Sequence, residues 1–253
     1  MIDLIQNKIK EIEQEENVEV ILAVESGSRA WGFESVDSDY DVRFIYIRKK
    51  EDYLKLNPPR DVIEWQLDEV LDINGWDLSK TLKLLYKSNP TVFEWLSSPI
   101  IYKKTKKAER LKELSLDYLD PKKLIYHYLH MATSNYREYL KKDRVRIKKY
   151  FYVLRPLLAA NWIIKKKTQP PMMFIELVEE MLPESLVPIV DHLLKLKSSL
   201  PEMGEAKRID ELNEYIVEQI DRIKEEVNMM ENSVNYWEPL NNLFIEMIWK
   251  KWM

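Results

Sequence analysis

The sequence predicts an α+β fold, in which a small mixed β-sheet domain with flanking helices is followed by an all-helical C-terminal domain. Residues 18 to 24 (VEVILAV) form an apolar, β-branched run, typical of a strand buried on both faces. Strand-like segments recur up to about residue 102, after which helical periodicity replaces alternation. We therefore expect one domain at residues 1 to 103 and a second, helical domain at 104 to 253.

The first hundred residues are expected to run helix, strand, Gly-Ser turn, strand, charged connection, strand and helix. Residues 62 to 73 (VIEWQLDEVLDI) alternate as one strand, which Asn74 and Gly75 then turn. Leucines at helical spacing predict a helix over 78 to 86, which Asn89-Pro90 ends before a further short helix. The apolar face of an amphipathic N-terminal helix comprises Ile2, Ile5, Ile9 and Ile12.

The second half is expected to contain only helices, separated by polar or Pro-bearing breaks such as TQPP. The C-terminal WEPLNNLFIEMIWKKWM is strongly apolar, so we expect it to pack against the helical half, with an oligomer contact as the alternative. The predicted helices are 106 to 117, 121 to 142, 144 to 167, 173 to 182, 186 to 199, 205 to 230 and 237 to 252.

Composition narrows the classes of function. The chain has 253 residues, 45% of them hydrophobic, with a net charge of −4, which argues against a surface coated in basic residues for non-specific nucleic-acid binding. The absence of Cys excludes disulfides and catalytic thiols and suits the cytoplasm. The chain has only three His and none of them forms a ligand-like pair, so a zinc enzyme is not favoured. No apolar run approaches about 18 residues, so no membrane span is expected. The oligomeric state is left open.

Residues 26 to 46 (SGSRAWGFESVDSDYDVRFIY) carry the main functional signal. Gly27 lets the backbone turn sharply towards a polyphosphate, where the Ser28 hydroxyl and nearby amides can bind its oxygens. Asp39 and Asp41 follow, and because side chains alternate along a strand, both carboxylates face the same side. Hard oxygen ligands suit Mg²⁺, and two ions about 4 Å apart can stabilise attacking and leaving oxygens. The segment therefore predicts metal-dependent phosphoryl transfer.

An alternative is that this segment forms only a polar hairpin turn, with Asp41 a solvated strand residue. Turns favour Ser and Asp, which occur together at Ser35, Asp37, Ser38 and Asp39. The complete arrangement of buried strand, Gly-Ser turn, spacer and Asp-Tyr-Asp favours the phosphate-binding interpretation over a simple turn.

The segment 27 to 46 resembles the DNA polymerase β nucleotidyltransferase superfamily, whose pattern is Gly-Ser, a spacer and Asp-x-Asp. More narrowly, the chain is similar to a bacterial and phage family of nucleotidyltransferases associated with RNA ligases and RNA repair. The resemblance extends to residues 71 to 102 and 148 to 171. It implies a nucleotidyltransferase domain that uses a nucleoside triphosphate and two Mg²⁺ ions, with Mn²⁺ as a substitute, and releases pyrophosphate.

A third carboxylate usually completes such a site. Glu64, Asp68, Asp72 and Asp77 are the candidates. Asp72 is preferred, because it lies at the predicted strand end and the block LDINGWDLSK places the family's third acid there. Asp77 precedes a helix and is better explained as its N-cap, although it stays the second choice.

Basic residues supply the remaining electrostatics. Arg29 follows the Gly-Ser turn and can pair with a phosphate oxygen, while Arg43 either binds substrate or neutralises the acids. Lys148 and Arg155, with neighbouring Lys149, are expected to close over the triphosphate, the alternative being a solvated basic helix face.

These residues predict an enzyme that transfers a nucleoside monophosphate to an acceptor hydroxyl, first of all an RNA 3′ end. Asp39, Asp41 and Asp72 are the expected catalytic and metal-binding residues, and Gly27, Ser28, Arg29, Lys148 and Arg155 the expected nucleotide-binding residues. The alternatives are protein AMPylation as an enzyme or antitoxin, modification of a small molecule, and a nucleotide- or RNA-binding module without turnover.

Overall fold

The computed structural model describes residues 1–36, 38–67, 70–199 and 205–249. The chain forms two compact units. The first unit contains the described residues of Met1–Ala30, Asp39–Tyr118 and Val234–Met253, and the second contains those of Trp31–Ser38 and Leu119–Ser233. This division differs from the predicted boundary at residue 103, because the chain enters each unit more than once.

A mixed five-stranded sheet lies at the centre of the first unit, with the strands in the spatial order β3-β4-β2-β1-β5. Strands β2 and β4 are parallel, and the other neighbouring pairs are antiparallel. The first strand is buried along its length after its first residue, as its apolar sequence predicts. The strands are β1 Glu19–Glu25, β2 Tyr40–Ile47, β3 Val62–Leu67, β4 Leu71–Asp77 and β5 Ile101–Lys104.

Helices cover this sheet. The N-terminal helix packs on it through Ile5, Ile9 and Ile12, whereas Ile2 is exposed. The predicted helix over 78 to 86 is confirmed, and Asn89 caps the following helix by accepting a hydrogen bond from the Thr91 amide. The helices are α1 Ile2–Glu15, α2 Gly27–Ala30, α3 Lys50–Tyr53, α4 Leu78–Tyr86, α5 Pro90–Ser97 and α6 Lys106–Ser115, followed by a 3-10 turn at Leu116–Tyr118.

The predicted single strand over 62 to 73 is wrong, because this segment contributes to two antiparallel strands, β3 and β4. Gly75 does not turn the chain but lies inside β4. A side-chain carbon at Gly75 would lie 2.1 Å from the Phe44 ring on β2. The glycine is therefore explained by close packing of a neighbouring ring rather than by a turn.

The second unit consists mainly of helices, with one short ladder of strands. The prediction that helices begin at residues 144 and 205 is wrong, because both segments start with a strand. Val145 is buried between two exposed arginines, an alternation that suits a strand better than a helix. The elements are α7 Pro121–Tyr139, β6 Arg144–Arg146, α8 Lys148–Lys166, α9 Phe174–Met181, α10 Val187–Ser199, β7 Glu205–Lys207 and α11 Asp210–Met229.

The last described helix, α12 Trp237–Trp249, belongs to the first unit and not to the helical half as expected. It packs on α4, and the Trp237 ring stacks on Tyr86 with 3.7 Å between ring centroids. Its apolar stripe is buried there through Leu240, Leu243 and Met247. Among the described residues, no helix combines the length and apolar character needed to cross a membrane.

Candidate functional site

The predicted Gly-Ser turn after β1 forms the start of the short helix α2. Gly27 has a φ of +61°, a left-handed conformation that favours glycine. A side-chain carbon at Gly27 would lie 1.9 Å from Asp41 Oδ2, so the Asp41 carboxylate lies directly against this turn. The Ser26 amide also donates to the Asp41 carbonyl at 2.8 Å. The two motifs of the segment are therefore in contact, and Ser28 lies in the first turn of α2.

Asp41 and Asp72 lie side by side. They are register partners on the parallel strands β2 and β4, so their side chains project from the same face of the sheet. Asp39 immediately precedes β2, two residues before Asp41, and is exposed. Asp72 lies near the start of β4 and not at a strand end as expected, and its role as the third acid stays a prediction.

Arg43 links the two adjacent acids. One guanidinium nitrogen, Nη2, lies 2.8 Å from Asp41 Oδ1 and 2.7 Å from Asp72 Oδ2. The other, Nη1, donates to the backbone carbonyls of Val42 and Asp72. The Asn74 side-chain amide donates to the remaining Asp72 oxygen. Arg43 therefore neutralises the acids in this structure, one of the two roles that its sequence position suggested.

The electrostatics of Asp41 reflect this crowding. Burial raises the pKa of its carboxyl, Arg43 lowers it, and the neighbouring Asp39 and Asp72 carboxylates raise it again, with a net shift upward. A carboxylate held near two others is stabilised by an added cation. The site consequently favours positive charge at the place where Asp41 and Asp72 meet.

Glu25 lies behind Asp41 and is only 1% exposed. Its Oε1 accepts the Asp41 backbone amide at 2.8 Å, and its Oε2 accepts the Tyr102 hydroxyl. Burial raises the pKa of the Glu25 carboxyl, while the hydrogen bonds from Tyr102 and Asp41 oppose that rise. Glu25 thus ties the end of β1 to the start of β2, immediately beside the Gly27 turn.

Glu25 and Tyr102 are not among the residues that the sequence suggested. Glu25 does carry a recognisable signal, since it is a charged residue directly after the apolar, buried run of β1. A buried carboxylate at such a position needs partners. The identity of those partners depends on strand pairing, which local sequence does not display.

The other candidates for the third acid have different roles. Asp77 caps α4 by accepting the Ser79 amide at 2.7 Å, which confirms the predicted N-cap, and it also accepts the Tyr53 hydroxyl. Glu64 is exposed and pairs with Arg60. Asp68 lies outside the described residues.

Arg29 fastens the turn to the start of β2. Its Nε donates to the Asp39 carbonyl at 3.0 Å, and its guanidinium lies 3.8 Å from the centre of the Tyr40 ring. These contacts hold the cation close to the Asp39 backbone. Its predicted contact with a phosphate oxygen stays a prediction.

Lys148 and Arg155 belong to α8 in the second unit. Lys148 is half-buried at the first position of this helix. Arg155 is only 3% exposed, and its guanidinium lies 4.3 Å from the centre of the Trp31 ring. Their predicted contact with a triphosphate stays a prediction.

The arrangement of the acidic side chains decides whether this site can hold a metal ion. As the side chains stand, the described chain contains no group of three His, Cys, Asp or Glu residues arranged to hold a metal ion. Arg43 contacts both Asp41 and Asp72 at this position. The oxygen donors nevertheless suit Mg²⁺, and Gly27 leaves the Asp41 carboxylate room that any other side chain would occupy. The donor chemistry thus fits the metal, with Arg43 in the position of a competing cation.

The chain is similar to three kinds of known protein. A family model described as the RNA repair pathway DNA polymerase beta family matches residues 1–246. The chain is 45% identical over 250 residues to the uncharacterized protein YcgL of Bacillus subtilis (strain 168), with 96% of each chain covered. Among solved structures, a nucleotidyltransferase-like protein from Exiguobacterium sibiricum 255-15 aligns over 88% of this chain and 74% of its own, with a TM-score of 0.32 and 13% identity.

Proposed function

The chain belongs to the RNA repair pathway DNA polymerase beta family, and we propose that it is a Mg²⁺-dependent nucleotidyltransferase. It would move a nucleoside monophosphate from a nucleoside triphosphate to an acceptor hydroxyl, with an RNA 3′ end as the acceptor. The observation that carries this proposal is the meeting of three features at one place: the Gly27 turn, the Asp41 carboxylate against it, and Asp72 in register beside Asp41.

In the proposed reaction, an oxygen of the acceptor hydroxyl attacks the α-phosphorus of the triphosphate. A new oxygen–phosphorus bond forms, the bond between the α-phosphorus and the α,β-bridging oxygen breaks, and pyrophosphate leaves. The hydroxyl proton passes to the Asp72 carboxylate, which acts as the general base. Gly27, Ser28 and Arg29 would hold the departing pyrophosphate by amide, hydroxyl and guanidinium donors.

Asp39, Asp41 and Asp72 would hold the Mg²⁺ ions, which when bound supply charge stabilisation for the attacking and leaving oxygens. Arg43 must then give up at least one of its carboxylate contacts. Glu25 keeps the Asp41 backbone in place during that exchange, since it binds the amide and leaves the Asp41 side chain to the site. The chain's contribution is therefore mainly positioning and electrostatics.

The test incubates the protein with each α-³²P-labelled nucleoside triphosphate, Mg²⁺ and a mixed RNA pool, and resolves the label by size. The Asp41→Asn variant removes the acid against the turn, and Asp61→Asn is the matched control, because Asp61 is an exposed acid of the same unit. We expect label on RNA with the wild type and with Asp61→Asn, and none with Asp41→Asn.

Other outcomes would assign the chain elsewhere. Label on protein would indicate AMPylation, and label on a small molecule would indicate a nucleotidylyltransferase of small substrates. Triphosphate binding without transfer to any acceptor would indicate a binding module. The lack of Cys, which rules out disulfides, is compatible with the cytoplasm as the place of action.

A further inference from the structure

A strongly basic surface occupies one part of the second unit, on the β6–β7 ladder and the residues that flank it. We call this surface the basic ladder. Residues 141–149 and 205–210 together contain eight Lys or Arg and three Asp or Glu, in a chain with a net charge of −4. The cations of the basic ladder are Lys141, Lys142, Arg144, Arg146, Lys148, Lys149, Lys207 and Arg208.

The fold directs these cations to the outside. Val145 is 1% exposed. Because side chains alternate along a strand, its two neighbours Arg144 and Arg146 both project from the opposite, solvent-exposed face. Lys141 and Lys142, which precede the strand, are exposed as well. The buried valine thus anchors a strand whose outer face is cationic.

The pairing of the two strands places like charges together at one position, whereas at the other Arg146 faces Glu205. Arg144 is the register partner of Lys207, and both are exposed. Like charges directly opposite each other destabilise a ladder. The Asp210 carboxylate pairs with Arg208, so it does little to neutralise the positive charges of Arg144 and Lys207. An arrangement that costs stability is expected where it binds an anion.

Aromatic rings lie beside the cations. Lys149 Nζ is 3.7 Å from the centre of the Tyr139 ring and 5.0 Å from that of Tyr152. Tyr152 is 36% exposed. Cations next to tyrosine rings are the combination that binds single-stranded nucleic acid, because phosphates meet the charges and bases stack on the rings.

We propose that the basic ladder binds the phosphate backbone of RNA. This proposal rests on the proposed function, because it supplies a holding surface for the RNA acceptor. Arg144 and Arg146 are spaced about 6.6 Å apart along the strand, and such a row suits a polymer with regularly repeated charge. An anionic membrane is less suited, since no large apolar side chain is exposed within 141–149 or 205–210.

The test measures binding of a 5′-fluorescein-labelled single-stranded RNA by anisotropy, without any nucleoside triphosphate, at several KCl concentrations. The variant carries Lys141→Gln, Lys142→Gln and Arg146→Gln. Arg144 is unchanged because its guanidinium also donates to the Glu205 carbonyl, and Lys148 is unchanged because it is a predicted nucleotide-binding residue.

The matched control carries Lys165→Gln, Lys167→Gln and Lys224→Gln. It removes the same charge from exposed positions of the same unit. Lys165 follows Lys148 by about 26 Å along α8, and Lys167 comes directly after the end of that helix. Lys224 follows Asp210 by about 21 Å along α11. Thermal unfolding of both variants checks that they are folded.

We expect the basic-ladder variant to bind RNA at least about tenfold more weakly, with the slope of log K against log salt reduced by about 2, as expected for three lost phosphate contacts. The control should bind within about twofold of the wild type. Equal weakening in both variants would overturn the proposal, because net charge alone would explain it.

Two further outcomes would also overturn it. Absence of RNA binding by the wild type would do so, and so would a variant that loses binding to vesicles with anionic headgroups but keeps RNA binding. The labelling assay of the proposed function is independent of this measurement. A protein that labels RNA but binds it without the basic ladder refutes this inference alone, and one that binds RNA through it but transfers nothing refutes the proposed function alone.

Discussion

The Cα of Gly27 lies against the Asp41 carboxylate, closely enough that a side-chain carbon at residue 27 would stand 1.9 Å from Asp41 Oδ2. The contact joins the turn after β1 to the acid on β2, and it combines two demands on one residue. Gly27 must adopt a φ of +61°, and it must leave the space beside the acid empty. A single methyl group at this position therefore tests how the turn and the acid depend on each other.

Gly27→Ala should abolish nucleotide transfer and lower the free energy of unfolding by about 1–2 kcal/mol from the left-handed backbone alone. The added methyl group must also displace Asp41, which moves the carboxylate out of the site. Urea unfolding and the labelling assay measure the two effects separately.

Gly32→Ala is the control for backbone strain. Gly32 also has a positive φ, +75°, but its side-chain carbon would meet only the end of the flexible Met173 side chain. We expect a comparable loss of stability with transfer retained. Equal transfer by the two variants would show that the Asp41 contact is unimportant.

Arg43→Gln should lower the free energy of unfolding at pH 7 by about 1–3 kcal/mol, because the hydrogen bonds of a charged group to two acids are lost. The acids then face each other without a cation, so Mg²⁺ should raise the melting temperature of Arg43→Gln more than that of the wild type. Differential scanning fluorimetry with and without Mg²⁺ measures this.

Arg60→Gln is a suitable comparison, since Arg60 forms an exposed pair with Glu64. It should change stability by less than about 0.5 kcal/mol, with no added response to Mg²⁺. The same Mg²⁺ response in the wild type and Arg43→Gln would argue against competition between Arg43 and the metal.

Asp72 and Asp77 should separate function from stability. Asp72→Asn should remove transfer and lower the free energy of unfolding by up to about 1.5 kcal/mol, because Arg43 keeps Asp41 but loses its second charged partner. Asp77→Ala should keep transfer and cost about 1–2 kcal/mol, because it removes the N-cap of α4. Steady-state kinetics below the unfolding temperature, together with urea unfolding, checks both. Loss of transfer in folded Asp77→Ala, with transfer kept in Asp72→Asn, would reverse the assignment.

Glu25→Gln should flatten the pH dependence of stability. Burial raises the pKa of Glu25 above its ordinary 4.5, so the folded protein binds more protons than the unfolded chain just above that pH. Wild-type stability therefore falls as pH rises from about 4.5 through the folded pKa. Gln removes this loss while its side-chain oxygen still accepts the Asp41 amide. Urea unfolding between pH 4 and 8 measures the difference.

Tyr102→Phe should act in the opposite direction. The Tyr102 hydroxyl lowers the pKa of Glu25 by its hydrogen bond, so removing it raises that pKa further and deepens the loss of stability at higher pH. Wild-type pH profiles in both variants would show that Glu25 does not titrate in this range.

Local patterns predicted the elements that depend on near neighbours along the chain. The strand β1, the helix α4 and the N-cap at Asp77 follow from apolar periodicity and capping chemistry over a few residues. The prediction of a turn at Gly75 is wrong because it also used near neighbours alone, and a glycine after a strand pattern suggests a turn. Its true cause, the Phe44 ring, is on another strand.

The candidate site depends on pairing between distant segments, which is why only part of it could be predicted. Asp39 and Asp41 could be placed together by strand alternation. The register of Asp41 with Asp72, the bridging Arg43 and the support from Glu25 all require knowledge of which strands are neighbours. The pairing of β6 with β7 likewise joins residues about sixty positions apart, a separation that periodicity does not reveal.

The place of α12 in the first unit has a consequence for synthesis of the protein. Tyr86 stacks on Trp237, and the Tyr118 hydroxyl donates to the Tyr236 carbonyl, so the first unit is completed by residues made more than a hundred positions later. A ribosome that has released the whole sheet still holds an unfinished first unit, with the α4 surface uncovered. Contacts this distant in sequence form late. Nascent or prematurely ended chains therefore carry all the acids of the candidate site but lack the helix that covers α4.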